Sequence, residues 1–244
     1  MHEILCAKMK RSLIISIFIG IAGMLCASTV TYDTINNVPC RVYLPTSYET
    51  SESEYPVLYL QHGMWGDESD WVRLGHLDQI MDSLLRAGVV REMVIIMPDN
   101  CPHRPTSLEE KDNAMSGEWE AQFRTFMDES EAKYRISHSP KLRAIAGLSM
   151  GGYHTMRVST MYDGQFAYIG MFSAATFVHE AASSPTLLWL SIGKDDFLYS
   201  SFQCYRDWLD ANHREYMYYE TEGGHEWPNW QDYIVRFTKK LFRN

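Results

Sequence analysis

The stretch Arg143-Ala-Ile-Ala-Gly-Leu-Ser-Met-Gly-Gly152 decides the fold of this chain. Its first half is an apolar run typical of a buried strand, and the residues from Gly151 to Met161 have the pattern of a helix. Between them stands Gly147-x-Ser149-x-Gly151, in which two glycines leave room for a sharp, strained turn. Such a turn holds the Ser149 hydroxyl at the carboxyl edge of a sheet and beside a helix N-terminus. The pattern predicts that Ser149 is a nucleophile.

A serine nucleophile needs backbone donors that stabilise an anionic oxygen. The Met150 N–H, at the start of the predicted helix, is the first candidate. The second is expected in the loop after a buried strand at Pro56 to Leu60, which runs into Gln61-His-Gly-Met-Trp-Gly66. There the Met64 N–H is the leading candidate and the Trp65 N–H is the alternative.

A general base is expected near the end of the chain, because enzymes with this turn present serine, acid and histidine in that order. His225 lies in Glu222-Gly-Gly-His-Glu-Trp227, where paired glycines let the loop fold over the sheet edge. The acid is expected in Ser191-Ile-Gly-Lys-Asp-Asp196, just beyond a strand. Adjacent residues of an extended chain point in opposite directions, so only one of Asp195 and Asp196 can face His225.

Apolar runs alternate with helical patterns along the rest of the chain, as expected for a mainly parallel sheet with helices on both faces. Further strands are predicted at 41–44, 93–97, 168–172, 187–192 and 215–219, and further helices at 77–87, 119–134, 202–211 and 230–242. Only about a dozen residues separate Ala175 from Leu187, too few for a helical lid. We therefore expect one α/β domain with an open site.

The N-terminus has the pattern of a secretory signal peptide. Three basic residues precede the uncharged run Ser12 to Leu25, and the small residues Ala27 and Ser28 follow. A start at Met9 would give a more compact leader. A membrane anchor is the alternative, but the strongly apolar run is short for a span. We expect residues 1–27 to be a signal peptide and residues 28–244 a catalytic domain. The mature protein would then be periplasmic or extracellular, with no stable membrane insertion.

Composition argues against several classes of partner and cofactor. The chain has 22 Lys+Arg against 31 Asp+Glu, a net charge of −9, which gives no general attraction to nucleic acid. Cys40, Cys101 and Cys204 remain after cleavage; three cysteines allow at most one disulfide, and buried, unpaired thiols are the simplest expectation. We find no zinc spacing, P-loop or dinucleotide fingerprint, so no metal or nucleotide cofactor is expected. Oligomeric state is left open by the sequence.

Five segments together resemble the putative esterase group of the α/β-hydrolases, which includes bacterial feruloyl and acetylxylan esterases of carbohydrate esterase family one. The segments are 62–71, 143–152, 166–175, 193–198 and 223–227. The resemblance covers nearly the whole chain after the leader. It implies an α/β-hydrolase fold without a lid domain, a cofactor-free serine esterase, and an acid at the second position of the Asp-Asp pair, Asp196.

The resemblance also implies a secreted enzyme that removes ferulate or acetate from plant xylan through an acyl-enzyme. Trp65, His154 and Trp227 are candidate contacts for a carbohydrate-linked ester, although packing is the alternative role for His154. Two enzyme alternatives remain, a general short-chain carboxylesterase and an acyltransferase of the mycolyl-transfer type. The non-enzyme alternative is a carbohydrate-binding module, which the presence of Ser149 and His225 disfavours.

Overall fold

A central sheet of eight strands organises the computed structural model, which describes residues 28–101, 104–107 and 110–243. In chain order the strands are β1 (Thr29–Ile35), β2 (Val38–Leu44), β3 (Val57–Gln61), β4 (Val94–Pro98), β5 (Arg143–Leu148), β6 (Tyr168–Phe172), β7 (Leu187–Gly193) and β8 (Met217–Thr221). Their spatial order is β1-β2-β4-β3-β5-β6-β7-β8. The β1–β2 and β2–β4 pairs are antiparallel, and all other pairs are parallel.

Helices cover both faces of the sheet. They are α1 (Asp70–Arg73), α2 (Leu77–Arg86), α3 (Lys111–Ala114), α4 (Glu118–Lys133), α5 (Met150–Met161), α6 (Tyr199–Ala211) and α7 (Trp227–Thr238). Apolar side chains of α4, α5 and α6 belong to the core on one face, and those of α2 and α7 belong to the core on the other. The α/β architecture predicted from the alternation of strands and helices is therefore confirmed.

Strand β3 shows why the central strands are apolar at every position. Val57 and Tyr59 face the core beneath α4, whereas Leu58 and Leu60 face the core beneath α2. All four are fully buried. Successive side chains of a strand point to opposite faces, and a sheet covered on both sides buries both sets.

The predicted boundaries differ from the structure mainly at the two ends of the fold. Strand β6 lies where it was predicted, but β8 is displaced by two residues, and α7 begins at Trp227 rather than Trp230. Strand β1 was missed. Only its last residue, Ile35, is buried, because β1 lies at the sheet edge and lacks the apolar pattern of the central strands.

Residues 173–186, between β6 and β7, contain no helix, so nothing resembling a helical lid is present there. In the described part of the chain, no helix is both long and apolar enough to span a bilayer. The predicted signal peptide, residues 1–27, lies outside the described residues.

Candidate active site

Ser149 stands at a strained turn between β5 and α5. Its backbone has φ 54° and ψ −116°, and a positive φ is uncommon for a residue with a side chain. The Ser149 N–H donates to the Phe172 carbonyl at 2.9 Å, and the Ser149 carbonyl accepts from the Ala175 N–H at 3.1 Å. Strand β6 and the residues after it therefore hold the turn in this conformation.

The glycines on either side of Ser149 allow the turn to pack against the end of β3. A Cβ added at Gly147 would overlap the Gly151 backbone, and one added at Gly151 would lie 2.6 Å from the Gln61 carbonyl oxygen. Neither position tolerates a side chain without a backbone shift. The close packing predicted for this motif is present.

Asp196 and His225 meet after β7 and β8. The His225 Nδ1 lies 3.0 Å from Asp196 Oδ1 and 2.9 Å from Asp196 Oδ2. A carboxylate only accepts hydrogen bonds, so Nδ1 carries the proton and Nε2 remains available as an acceptor. Asp196 is 4% exposed and also accepts from the Leu198 N–H, whereas Asp195 is exposed. The structure brings Asp196, and not its neighbour, to the imidazole.

Backbone hydrogen bonds fix the loops that carry these two side chains. The Lys194 N–H donates to the Thr221 carbonyl at 2.9 Å, and the Asp195 N–H donates to the Gly223 carbonyl at 3.0 Å. Gly223 has φ +83°, a conformation that favours glycine. This use of a glycine before the histidine agrees with the sequence-based expectation.

A cavity of about 520 Å³ opens at the carboxyl edge of the sheet, the edge at which the parallel strands end. Ser149 and His225 both line it, and Asp196 lies behind the imidazole. Six predicted site residues line this cavity: Met64, Trp65, Ser149, Met150, His225 and Trp227. Leu148, Ala175 and Leu198 add to a wall that is mostly apolar.

The loop after β3 lies directly on the serine turn. A Cβ added at Gly63 would be 2.6 Å from Leu148 Cδ1 and 3.4 Å from Ser149 Cβ. Met64 follows Gly63, and Met150 is the first residue of α5, where N–H groups lack partners inside the helix. Both predicted oxyanion donors therefore belong to backbone segments that border Ser149.

The His62 side chain is 1% exposed and helps to hold the loop after β3 in place. Its Nδ1–H donates to the Gly63 carbonyl at 2.7 Å, and Asn100 Nδ2 donates to the His62 carbonyl at 3.1 Å. Burial works to raise the pKa of the nearby Asp99, but hydrogen bonds and charge from His62 and Arg104 outweigh it and lower that pKa. An ionised Asp99 therefore lies beside the His62 imidazole, on the side opposite Nδ1.

The structure places His154 away from the cavity, so the predicted substrate contact is not supported. His154 is fully buried, and its Nδ1 lies 2.8 Å from Glu120 Oε1 on α4. Burial works to raise the pKa of Glu120, but the hydrogen bond and charge of His154 outweigh it and lower the pKa. His154 lies on α5, five residues after Ser149, and contacts α4 through Glu120, so its role is packing between helices.

The cavity residues that were not predicted from sequence include Asp70, Phe177, Phe197 and Trp230. The Phe197 ring centroid lies 4.5 Å from that of His225, and the Trp230 ring meets His225 edge-on at 5.0 Å. Phe197 directly follows the buried acid, and that adjacency was the available sequence signal. Phe177 stands on a loop without a regular pattern, where no such signal exists.

Three exposed aromatic side chains surround the cavity mouth. Trp65 is 49% exposed, Phe177 62% and Phe197 76%, and we call these three residues the aromatic rim. Trp227 instead packs edge-on against Trp71 and Trp230, at 5.4 and 5.1 Å between ring centroids. Trp227 is therefore a wall residue, and the rim provides the accessible ring surface.

The three cysteines in the described part of the chain do not offer a rival nucleophile at the cavity. Cys101 packs in a cluster with Met64 and Met150. Burial raises the pKa of its thiol to about 11, with the Asp99 charge adding to the effect, so the thiol is protonated at neutral pH. Cys40 is a buried free thiol and Cys204 an exposed one. Within the described residues, no group of three or more His, Cys, Asp or Glu side chains is arranged to hold a metal.

Comparison with known proteins places this site in a family. The profile of the family described as "Putative esterase" matches residues 34–214. The chain belongs to the putative esterase family. The match includes Ser149 and Asp196 and ends before His225, which the structure supplies at the same cavity.

Relatives of this putative esterase include proteins longer than the aligned region. An endo-1,4-beta-xylanase/feruloyl esterase of Xylanibacter ruminicola is 30% identical over 156 residues, which are 59% of this chain and 20% of the relative. The chain therefore spans about a fifth of that relative. An acetyl esterase of Caldicellulosiruptor saccharolyticus is 23% identical over 222 residues, covering 73% of this chain and 80% of the relative.

A solved structure shares the fold of this putative esterase. The CE1 ferulic acid esterase of the anaerobic fungus Anaeromyces mucronatus superposes with a TM-score of 0.75 at 21% identity, covering 88% of this chain and 89% of the fungal chain. At this identity the likeness concerns the fold alone. It confirms the predicted α/β-hydrolase fold.

Proposed function

We propose that the protein is a carboxylic ester hydrolase with Ser149 as nucleophile, His225 as general base and Asp196 as orienting acid. One observation carries this proposal: the imidazole that hydrogen-bonds to Asp196 at 2.9 Å lines the same cavity as the serine at the strained turn. The family to which the chain belongs supports the same class of reaction.

The reaction would proceed in two halves. Ser149 Oγ attacks the ester carbonyl while His225 Nε2 takes the hydroxyl proton, and the imidazolium then gives that proton to the departing alcohol. The same imidazole activates a water molecule that hydrolyses the acyl-enzyme. The Met64 and Met150 N–H groups would stabilise the oxyanion in both halves, each by about 3 kcal/mol.

The proposed substrate is a feruloyl or acetyl ester of a plant polysaccharide such as xylan. The apolar cavity and the aromatic rim suit a flat hydroxycinnamoyl ring, and the absence of a helix over residues 173–186 leaves room for a polymer. A relative is described as a xylanase/feruloyl esterase, and the fungal enzyme is known in complex with ferulic acid. The predicted signal peptide supports an exported enzyme.

The Ser149→Ala variant tests the proposed chemistry. It should lose release of p-nitrophenol from p-nitrophenyl acetate by about 10⁴-fold or more, while its circular dichroism spectrum stays unchanged. The matched control is Ser83→Ala, because Ser83 is exposed on α2, far along the chain from the site. Turnover retained by Ser149→Ala at the wild-type rate would refute the proposal.

The substrate is tested separately. Incubation with feruloylated and acetylated arabinoxylan should release ferulate, acetate or both, measured by chromatography. The same assay with an added sugar acceptor separates hydrolysis from acyl transfer, since a transferase would form the acylated sugar in preference to free acid. If the protein hydrolyses p-nitrophenyl acetate but releases neither acid from arabinoxylan, the result would favour the alternative function, a general short-chain carboxylesterase.

A further inference from the structure

Two adjoining grooves on the face opposite the cavity are rich in basic residues. The first, of about 510 Å³, is lined by Arg236, Lys239, Lys240 and Arg243 among others. The second, of about 500 Å³, is lined by Arg91, Lys141 and Arg243. Arg243 lines both, so the two grooves meet at this side chain, and together we call them the basic groove.

The basic groove lies at the amino edge of the sheet, where the parallel strands begin. Its lining includes Tyr168 and Met217, the first residues of β6 and β8, and Leu142, which precedes β5. Ser149 and His225 lie at the opposite edge. The basic groove is therefore separate from the catalytic cavity and cannot be part of the acyl site.

The charge of this surface contrasts with that of the whole protein. Among the described residues that line the basic groove, six are cationic and one, Asp232, is a carboxylate; the cations are Arg91, Lys141, Arg236, Lys239, Lys240 and Arg243. The chain as a whole has a net charge of −9. Such a concentration of one sign in a concave surface creates a local positive potential within an acidic protein.

Most of these charges have no counter-ion in the described part of the chain. Asp232 pairs with Arg236 at 2.8 Å, which leaves five cations without a carboxylate partner among the described residues. Arg91, Lys141, Lys240 and Arg243 are exposed. Arg243 donates to the Val89 carbonyl at 3.2 Å, but these exposed groups have no internal salt bridge that an anionic partner would have to break.

We propose that the basic groove binds a polysaccharide chain that carries carboxylate groups, as in polymers containing uronic acids. A groove fits an extended polymer, whereas a flat bilayer would contact only its edges. The choice of polysaccharide among polyanions rests on the proposed function. Binding at the amino edge would hold the enzyme within the polymer network and raise the effective concentration of esters at the carboxyl edge.

A binding assay with two matched polymers tests this proposal. Polygalacturonate free of esters should retard the wild-type protein in affinity electrophoresis at low salt, and carboxyl-reduced polygalacturonate should not. The Lys239→Gln/Lys240→Gln variant should bind polygalacturonate about tenfold more weakly, and added salt should weaken the wild type similarly. The control is Arg124→Gln/Lys133→Gln, which removes two cations that are each about half-exposed on α4.

Several results would overturn the proposal. Equal retardation by the two polymers, or unchanged binding by Lys239→Gln/Lys240→Gln, would remove the role of the basic groove. Binding to phosphatidylglycerol vesicles or duplex DNA without binding to polygalacturonate would assign the surface to a membrane or a nucleic acid instead. Hydrolysis of p-nitrophenyl acetate should equal that of wild type in both double variants. The polymer carries no ester, so failure to bind it would leave the proposed esterase chemistry intact.

Discussion

Asp195 and Asp196 are neighbours in sequence, but Asp195 is exposed whereas Asp196 is buried beside His225. They are therefore a matched pair for testing which carboxylate orients the imidazole. We expect Asp196→Asn to lower kcat for p-nitrophenyl acetate by about 10⁴-fold, because an amide cannot hold the productive imidazole tautomer. Asp195→Asn should change kcat by less than about twofold, since its side chain is exposed. Equal losses in the two variants would contradict the assignment.

The aromatic rim makes a prediction about the acyl group. Replacing Trp65 by alanine removes a half-exposed ring at the cavity mouth and should raise KM for a feruloyl ester by about tenfold. KM for the acetyl ester should change little, because acetate is too small to reach the rim. Tyr32→Ala is the control, since Tyr32 is 58% exposed on the edge strand β1. Parallel changes for both esters would argue against a ring-binding role.

Local sequence patterns predict Ser149 and His225 because the function of each residue depends on glycines that lie close to it in the chain. The choice between Asp195 and Asp196 could not be made from local residues. It depends on which of the two side chains faces the loop that carries His225, nearly 30 residues later in the chain. His154 was misplaced for the same reason. Its contact with Glu120 is set by how two helices pack, which no short pattern encodes.

Among the structural elements, the turn between β5 and α5 has little steric freedom. Gly151→Ala would drive a methyl group into the Gln61 and His62 carbonyl oxygens, which belong to backbone that cannot move aside easily. We expect a loss of about 3 kcal/mol in the free energy of unfolding, measured by urea titration. Gly164→Ala is the control, because its Cβ would meet open space and only its φ of +79° costs energy, about 1 kcal/mol. Equal losses would contradict the packing argument.

The contact between α4 and α5 should make stability depend on pH. The pKa of Glu120 is lowered from its ordinary 4.5, so its ionised form stabilises the folded state above that pH. This contribution is lost as pH falls through the folded pKa. The difference in free energy of unfolding between wild type and Glu120→Gln should therefore stay nearly constant from neutral pH to about pH 5 and shrink as pH falls below 4.5. Glu54→Gln, at an exposed carboxylate, should show no such trend; a difference that stays constant would refute the prediction.

Central elements were predicted better than edge elements for a physical reason. Strands β3 to β7 are buried on both faces, which imposes an apolar run on their sequences. Strand β1 has one neighbour and mixed exposure, so nothing in Thr29–Ile35 demands an apolar pattern. Helix α7 begins three residues earlier than predicted because Trp227 and Pro228 already belong to its first turn.

At the scale of the whole molecule, the position of β1 predicts where added domains are tolerated. Thr29 pairs with Leu44, at the end of an antiparallel strand, so β1 begins at the amino edge of the sheet. A fluorescent protein fused ahead of residue 28 should leave kcat/KM for p-nitrophenyl acetate within about twofold of wild type. The same domain inserted after Val178, beside the cavity-lining Phe177, should reduce it strongly. The reverse order of effects would contradict this geometry.

This placement of β1 has a consequence for work on solid material. Thr29 and Arg243 both lie at the amino edge of the sheet. An attachment at either residue would therefore leave the cavity opening at the carboxyl edge unobstructed. An enzyme attached in this way would still present the opening of its catalytic cavity to a fibre. The fold thus permits immobilisation without loss of access to bulky substrates.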